Sequence, residues 1–322
     1  MALVFTLAYG CTSKKHDLPP PTFSEAQKKF ETKCREDFDL EVTTRQLGRT
    51  LYVYLPTDKP LFDYSAQKEN TDESPTRQNA KFTVQYLDGG YDKAKNFSFE
   101  YDIIDKLKTK EEDYGYATNY TDSFSKQQNN LFTAIANTFL DAEASDKENS
   151  ILFFVIVITD IKKGIESKMT FYFLDLKRYM SEDLPYEEYM KRFLVETKGG
   201  QSMIGDEVGT HIEYKDVAMP DFLSKQIINR IQYKFQRSEC QPTAEYDDNI
   251  IAIAADTLRY YHFVDFGSLH LDNLRKNKKF TFDKTQLDAF GDDKPQDAAP
   301  AANTKGKLIH IIFENGKAKI QE

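Results

Sequence analysis

Few of the 322 residues have side chains that can hold a metal or move a proton at a spacing that suits the task. The histidines are His16, His211, His262, His270 and His310. They do not recur at the short paired intervals of metal ligands, so surface or packing positions are expected for them. Asp160, Asp175, Asp256 and Asp272 fall at what read as matching strand ends. Carboxylates there can bind Ca²⁺ or do acid–base work. The commoner use of such an Asp is a bond from its side chain to the turn backbone, and that use is expected here. Tyr86, Tyr91, Tyr101, Tyr114, Tyr116 and Tyr120 form a tyrosine-rich stretch, with Glu111, Glu112 and Asp113 beside the last three. A ring with an apolar face and a polar tip suits a glycan or protein surface. Tyr114, Tyr116 and Tyr120 are therefore the candidate binding surface, although sheet packing accounts for tyrosines equally simply. There is no Walker loop, dinucleotide fingerprint, HExxH or nucleophile elbow. No catalytic residue, metal ligand or cofactor is assigned.

The charge balance is acidic, with 52 Asp and Glu against 43 Lys and Arg. A nucleic-acid partner is excluded on that ground, because phosphates need a basic face. The basic run Arg275, Lys276, Lys278 and Lys279 reads as a solvated face. Three cysteines are too few for a disulfide scaffold.

The first of them, Cys11, follows the uncharged stretch 1–10 and precedes a polar turn at Thr12-Ser13-Lys14-Lys15-His16. Such a stretch is too short to span a bilayer, which takes about 20 residues, and it matches the apolar region of a secretory signal. The positive region that opens such signals is missing, and a true start a few residues upstream of Met1 is the expectation that would supply it. The five residues Leu7-Ala8-Tyr9-Gly10-Cys11 resemble the lipobox of bacterial lipoproteins. Tyr9 departs from that pattern, which prefers a small residue there. The resemblance implies cleavage before Cys11, a diacylglycerol on its thiol, and a membrane as partner. Thr12 after the cysteine resembles the outer-membrane sorting pattern, so the implied location is a bacterial envelope, facing the periplasm. The sequons at Asn96 and Asn119 have no use there. With Cys11 carrying lipid, Cys34 and Cys240 remain as an even pair. An oxidising compartment can join them, and separate buried thiols are the alternative.

The elements begin after a tether that ends in Pro19-Pro20-Pro21. Thr22 and Glu25 form a capping-box pattern, and Phe23, Ala26, Phe30, Cys34 and Phe38 form an apolar helical stripe. Alternating strands follow near 40–44 and 51–55, with a polar loop over 63–79. Another strand pair lies near 81–87 and 96–103, its turn starting at Asp88-Gly89-Gly90. A helix is expected from Ser125 to Leu140, capped by Ser125 and Gln128, and a buried strand from Ile151 to Ile158. A partner strand near 169–173 and a helix from Pro185 to Glu196 come next. Four glycines from Gly199 to Gly209 mark a candidate domain joint.

A shift of 96 residues places Leu131, Phe132, Ile135 and Phe139 on Ile227, Ile228, Ile231 and Phe235. It also places the strand 154–160 on 250–256, which makes that stretch a strand in a second helix–hairpin unit. The expected fold class is α+β, with antiparallel sheets, helices on one face and repeated helix–strand–strand units. The expected segments are a signal at 1–10, a lipid-anchor tether at 11–21, an α+β domain at 22–198 and a second helix–hairpin unit at 210–282, a repeat of 125–176. A flexible acidic linker at 283–304 and a terminal β-hairpin at 305–322, turned at Asn315-Gly316, complete the chain. Three functions fit. The first is a lipid-anchored, non-catalytic envelope protein that binds or scaffolds another envelope protein or a glycan. The second is an envelope glycan or peptide hydrolase with paired carboxylates. The third is a small-ligand-binding lipoprotein.

Overall fold

The computed structural model describes residues 22–63, 82–105, 119–140, 142, 150–236, 246–289, 310–314 and 317–321. The protein is α+β, with two main sheets that are mostly antiparallel. The helices are α1 (Phe23–Phe38), α2 (Asp122–Phe139), α3 (Phe173–Met180), α4 (Tyr186–Lys191), α5 (Met219–Gln236), α6 (Tyr246–Tyr260) and α7 (Lys284–Ala289). The first sheet joins β1 (Thr43–Leu47), β2 (Thr50–Thr57), β7 (Phe153–Asp160), β8 (Ile165–Tyr172) and β9 (Leu194–Gly199) in that order. The second runs β11 (Lys278–Asp283), β10 (Ser268–Asn273), β5 (Asn96–Asp105) and β4 (Phe82–Tyr91). Two short strands, β3 (Phe62–Asp63) and β6 (Asn119–Tyr120), pair with each other.

Both main sheets are built in the same way. Each joins two hairpins, β1–β2 with β7–β8 and β4–β5 with β10–β11, through a parallel central pair. The parallel pairs are β2 with β7 (Val53 opposite Ile156) and β5 with β10 (Phe99 opposite Leu271). A parallel pair needs a long crossover. Here each crossover contains the first or second hairpin of the other sheet, so the two sheets are interleaved in sequence. Residues 82–105, which precede the second half of the first sheet, supply half of the second.

The layers follow from which faces are apolar. Phe30 and Cys34 of α1, with Leu131, Ile135 and Phe139 of α2, pack on Val53, Phe154, Ile156 and Phe171 of the first sheet. Helices α5 and α6 fill the space between the two sheets, joining Phe153 and Leu194 of the first to Phe97, Phe99 and Leu271 of the second.

Several expected elements take another form. Residues 250–256 are helical, not a strand, because Ile250, Ile251, Ala254, Ala255 and Leu258 are buried at helical spacing within α6. The 96-residue shift therefore sets helix α2 on helix α5 but strand β7 on helix α6. The cap of α2 is Thr121, whose hydroxyl accepts from the Phe124 N–H at 3.1 Å, and not Ser125. The helix expected over 185–196 stops at Lys191, and Val195 and Thr197 enter β9, paired with Met169 and Ser167 of β8. Asp88, Gly89 and Gly90 lie within β4, and the turn is Asp92 to Lys95. Gly89 answers a close approach instead, since a Cβ there would sit 2.3 Å from the Phe99 ring. The terminal hairpin pairs β12 (His310–Glu314) with β13 (Lys317–Gln321), and β12 lies beside β11.

Candidate functional site

The segment 200–217 connects β9 to α5 and crosses the face of the first sheet opposite α1 and α2. That face presents Tyr52, Tyr54, Val155 and Val157, against which Ile212, Tyr214 and Val217 pack. The glycine-rich stretch expected as a domain joint is thus a strap laid on a sheet. Its polar groups fix it in place. The Asp216 carboxylate accepts from the Thr50 hydroxyl at 2.8 Å and from the Arg49 N–H at 3.0 Å. The Tyr52 hydroxyl donates to the Lys215 carbonyl at 2.7 Å and accepts from the Lys215 N–H at 3.0 Å. Gly48, with φ of 54°, makes room for this contact, because a Cβ there would meet Asp216 Oδ2 at 2.2 Å.

The centre of the strap is a histidine held between two carboxylates. His211 Nδ1 lies 2.5 Å from Asp206 Oδ2, and Nε2 lies 2.7 Å from Glu166 Oε2 of β8. The three side chains are only 4–6% exposed. The Asp206 carboxylate also accepts from the backbone N–H groups of Val208, Gly209 and His211 and from the Thr210 hydroxyl. Tyr54 donates its hydroxyl to the Asp206 carbonyl and meets the His211 ring edge to face.

The electrostatics follow from this geometry. Burial pushes the His211 pKa down, but the hydrogen bonds and charges of Asp206 and Glu166 outweigh it and leave it raised. Burial works against the Asp206 carboxylate too. The donors of His211, Thr210 and Val208 prevail and hold it below its ordinary range. Burial pushes the Tyr54 hydroxyl up to about 12. Both nitrogens of His211 are already engaged, so this ring positions the strap and has no free nitrogen to offer a substrate.

A second charged cluster sits where α3 and α4 meet α5 and α6. Arg192 donates from Nη1 to Asp175 at 2.6 Å and from Nε to Glu188 at 3.0 Å. Arg230 of α5 also reaches Glu188. Arg192 lies over Tyr261 at 5.0 Å and Tyr260 at 5.4 Å. Asp175 and Arg192 are each 2% exposed, and a buried Arg this well paired ties α3 and α4 to α5 and α6.

The residues singled out in sequence lie apart. Asp160 accepts from the backbone N–H groups of Lys162 and Lys163 at 3.0 Å, closing the β7–β8 turn. Asp256 pairs with Arg259 inside α6, and Asp272 pairs with Lys279 across β10 and β11. Tyr120 is 43% exposed and stacked between Phe62 and Phe124, at 5.0 and 4.5 Å. Tyr114, Tyr116, Cys11 and Cys240 lie outside the described residues. Cys34 is a free thiol, fully buried on α1, and burial pushes its pKa up to about 12. A surface cleft of about 410 Å³ beside the strap carries Glu41, Asp58 and Glu207 among its lining residues. Asp58 is paired there with Lys162 at 3.2 Å. Among the described residues, no group of three or more His, Cys, Asp or Glu side chains is arranged to hold a metal ion, and no helix is long and apolar enough to cross a membrane.

Reasoning from sequence missed Glu166, Asp206, Glu188 and Arg192. The available signal was weak: an Asp and a His inside a glycine-rich stretch. No protein-family model matches this chain, and no curated protein or solved structure matches it either.

Proposed function

We propose that this protein is a lipid-anchored, non-catalytic component of a bacterial cell envelope that binds or scaffolds another envelope component. The carrying observation is the run Leu7-Ala8-Tyr9-Gly10-Cys11, followed by a polar, proline-rich tether. The tether leads directly into α1, whose start is fixed by the Thr22–Glu25 capping box. A cysteine about a dozen residues ahead of a firmly capped helix suits a folded body held off a membrane by acyl chains, at about 0.8 kcal/mol per buried methylene. The reading is also supported by the use made of the buried charges. His211, Arg192 and their carboxylates are spent on holding the fold. The outer-membrane, periplasm-facing location is part of the same proposal and rests on Thr12.

The test is metabolic labelling with an alkyne fatty acid, paired with membrane fractionation and pull-down from detergent extracts. Labelling and membrane retention that vanish in Cys11→Ser, with one envelope partner recovered repeatedly, are the expected results. An unlabelled wild type that fractionates like Cys11→Ser overturns the anchor. A second reading, an envelope glycan or peptide hydrolase, is favoured by the cleft that holds Glu41, Asp58 and Glu207. Release of soluble fragments from cell-wall material by the purified protein would select it.

A further inference from the structure

We propose that the strap 200–217 is a pH-gated cover, latched on the first sheet by the imidazolium of His211 and loosened when that ring loses its proton. The inference stands apart from the lipid-anchor reading. It rests on the number of donors the site needs. Asp206 and Glu166 approach opposite ring nitrogens at 2.5 and 2.7 Å, and each carboxylate is only 5–6% exposed. Imidazolium donates to both. Neutral imidazole has one N–H, so it can serve one carboxylate and must turn a lone pair toward the other. A buried carboxylate facing a lone pair is costly, and the strap is the part able to move away.

The groups around the ring support this assignment. Tyr54 faces it from β2, Glu166 from β8, and Asp206 comes from the strap itself. Two cations lie close along these strands, Lys168 on β8 itself and Lys198 opposite Glu166 on β9. Both lie against Glu196, at 3.8 and 3.7 Å; the charge of Glu166 acts on Lys168 as well, while its direct ion pair is with His211. Among the described residues, the His211–Glu166 contact is the strap's side-chain bond to β8. The strap's other side-chain anchors are at Arg49, Thr50, Tyr52 and Tyr54, and the Gly200 and Gly205 N–H groups donate to the Gly164 and Ile161 carbonyls at the β7–β8 turn.

The direction of the switch follows from linkage. The folded-state pKa of His211 is raised above its ordinary value of 6.5. Its contribution is therefore complete below 6.5 and is lost as pH rises through the folded value. The Asp206 carboxylate is held below its ordinary value, so its contribution is present above that value and is lost as pH falls through the folded one. The latch is closed between these limits. On the alkaline side it opens and uncovers Tyr52, Tyr54, Val155 and Val157, a flat apolar and aromatic face.

Hydrogen exchange reads the latch directly, because the amides of Val208, Gly209 and His211 are bonded to the Asp206 carboxylate. The measurement uses the full chain. Exchange is corrected for intrinsic rate and referenced to β7 amides, and His211 is titrated by NMR in the same samples. Strap protection is expected to fall about 10- to 100-fold, the worth of one hydrogen bond to a charged group, as His211 titrates. In Glu166→Gln the pKa of His211 should fall and the loss of protection should move with it to lower pH. In His211→Gln the strap should be loose at every pH. The proposal is overturned by a His211 pKa at or below 6.5. It is equally overturned by strap protection that ignores the titration, or by pH dependence that survives in His211→Gln. If His211→Gln does not fold, the paired shifts in Glu166→Gln decide alone.

Discussion

The two main sheets share a plan of two hairpins around a parallel pair, yet their central strands read differently. All eight residues of β7 are buried, from Phe153 to Asp160. In β10, Leu269, Leu271 and Asn273 are buried while Ser268, His270 and Asp272 are partly open. The cause is coverage. On the first sheet, helices take one face and the strap and α5 take the other. The second sheet is covered by α5 and α6 on one side. Its other side carries a polar ladder in which Ser268 bonds Asn96 at 2.7 Å and His270 at 2.8 Å, and His270 meets Thr281 at 3.0 Å. Topology therefore does not set the hydrophobic pattern of a strand. What is laid on its second face does. The first sheet also needs buried polar groups to hold its cover, and the histidine latch is one result.

The contrast is tested most strongly at the central strand. Phe154 is fully buried and touches the rings of Phe139, Phe171 and Phe173 at 5.2 to 5.4 Å. Phe154→Ala should cost about 3–5 kcal/mol in urea unfolding. Ser98→Ala, on the open face of β5, should stay within about 0.5 kcal/mol. Similar losses at both sites would mean that the second sheet is covered after all.

Arg192 comes next, because it joins the regions being compared. Arg192→Leu leaves Asp175 buried without its cation and should cost about 3 kcal/mol. Removing both charges in Asp175→Leu with Arg192→Leu should recover much of the loss, since no charge is then stranded. A double variant as unstable as the single one would show that the shape of the cluster matters more than its charge.

Legibility in the sequence followed the same contrast. Where one force dominates, the pattern was enough: the Thr22–Glu25 cap and the run 151–158 announce their elements. It failed where two readings share one composition. Ile250 to Asp256 alternates like a strand and also repeats like a helix, and packing between two sheets decided for the helix. Gly89 looked like a turn residue because a turn and a close approach both demand glycine. The histidine latch could not be read at all, because Glu166 and His211 are 45 residues apart and meet only when the strap lies down. The same holds for Arg192 and Asp175, 17 residues apart.

The smallest effect lies in the polar centre of the second sheet. Tyr101 donates its hydroxyl to Asp247 at 2.9 Å, and Asn273 and Lys276 bond the same carboxylate at 2.7 and 3.0 Å. Because Asp247 keeps two partners without it, Tyr101→Phe should cost only about 1 kcal/mol near neutral pH. The variant should nonetheless change the alkaline limb. Burial, then the charge of Asp247, raises the Tyr101 hydroxyl above its ordinary value of 10. Above that pH the unfolded chain has released this proton and the folded chain has kept it. Stability then falls with rising pH, by about 1.4 kcal/mol per unit for one proton. Phenylalanine has no proton to release, so Tyr101→Phe should lose stability less steeply above pH 10. Parallel alkaline limbs for the two proteins would show that this hydroxyl ionises as freely folded as unfolded, and that the second sheet's centre is wetter than the first's.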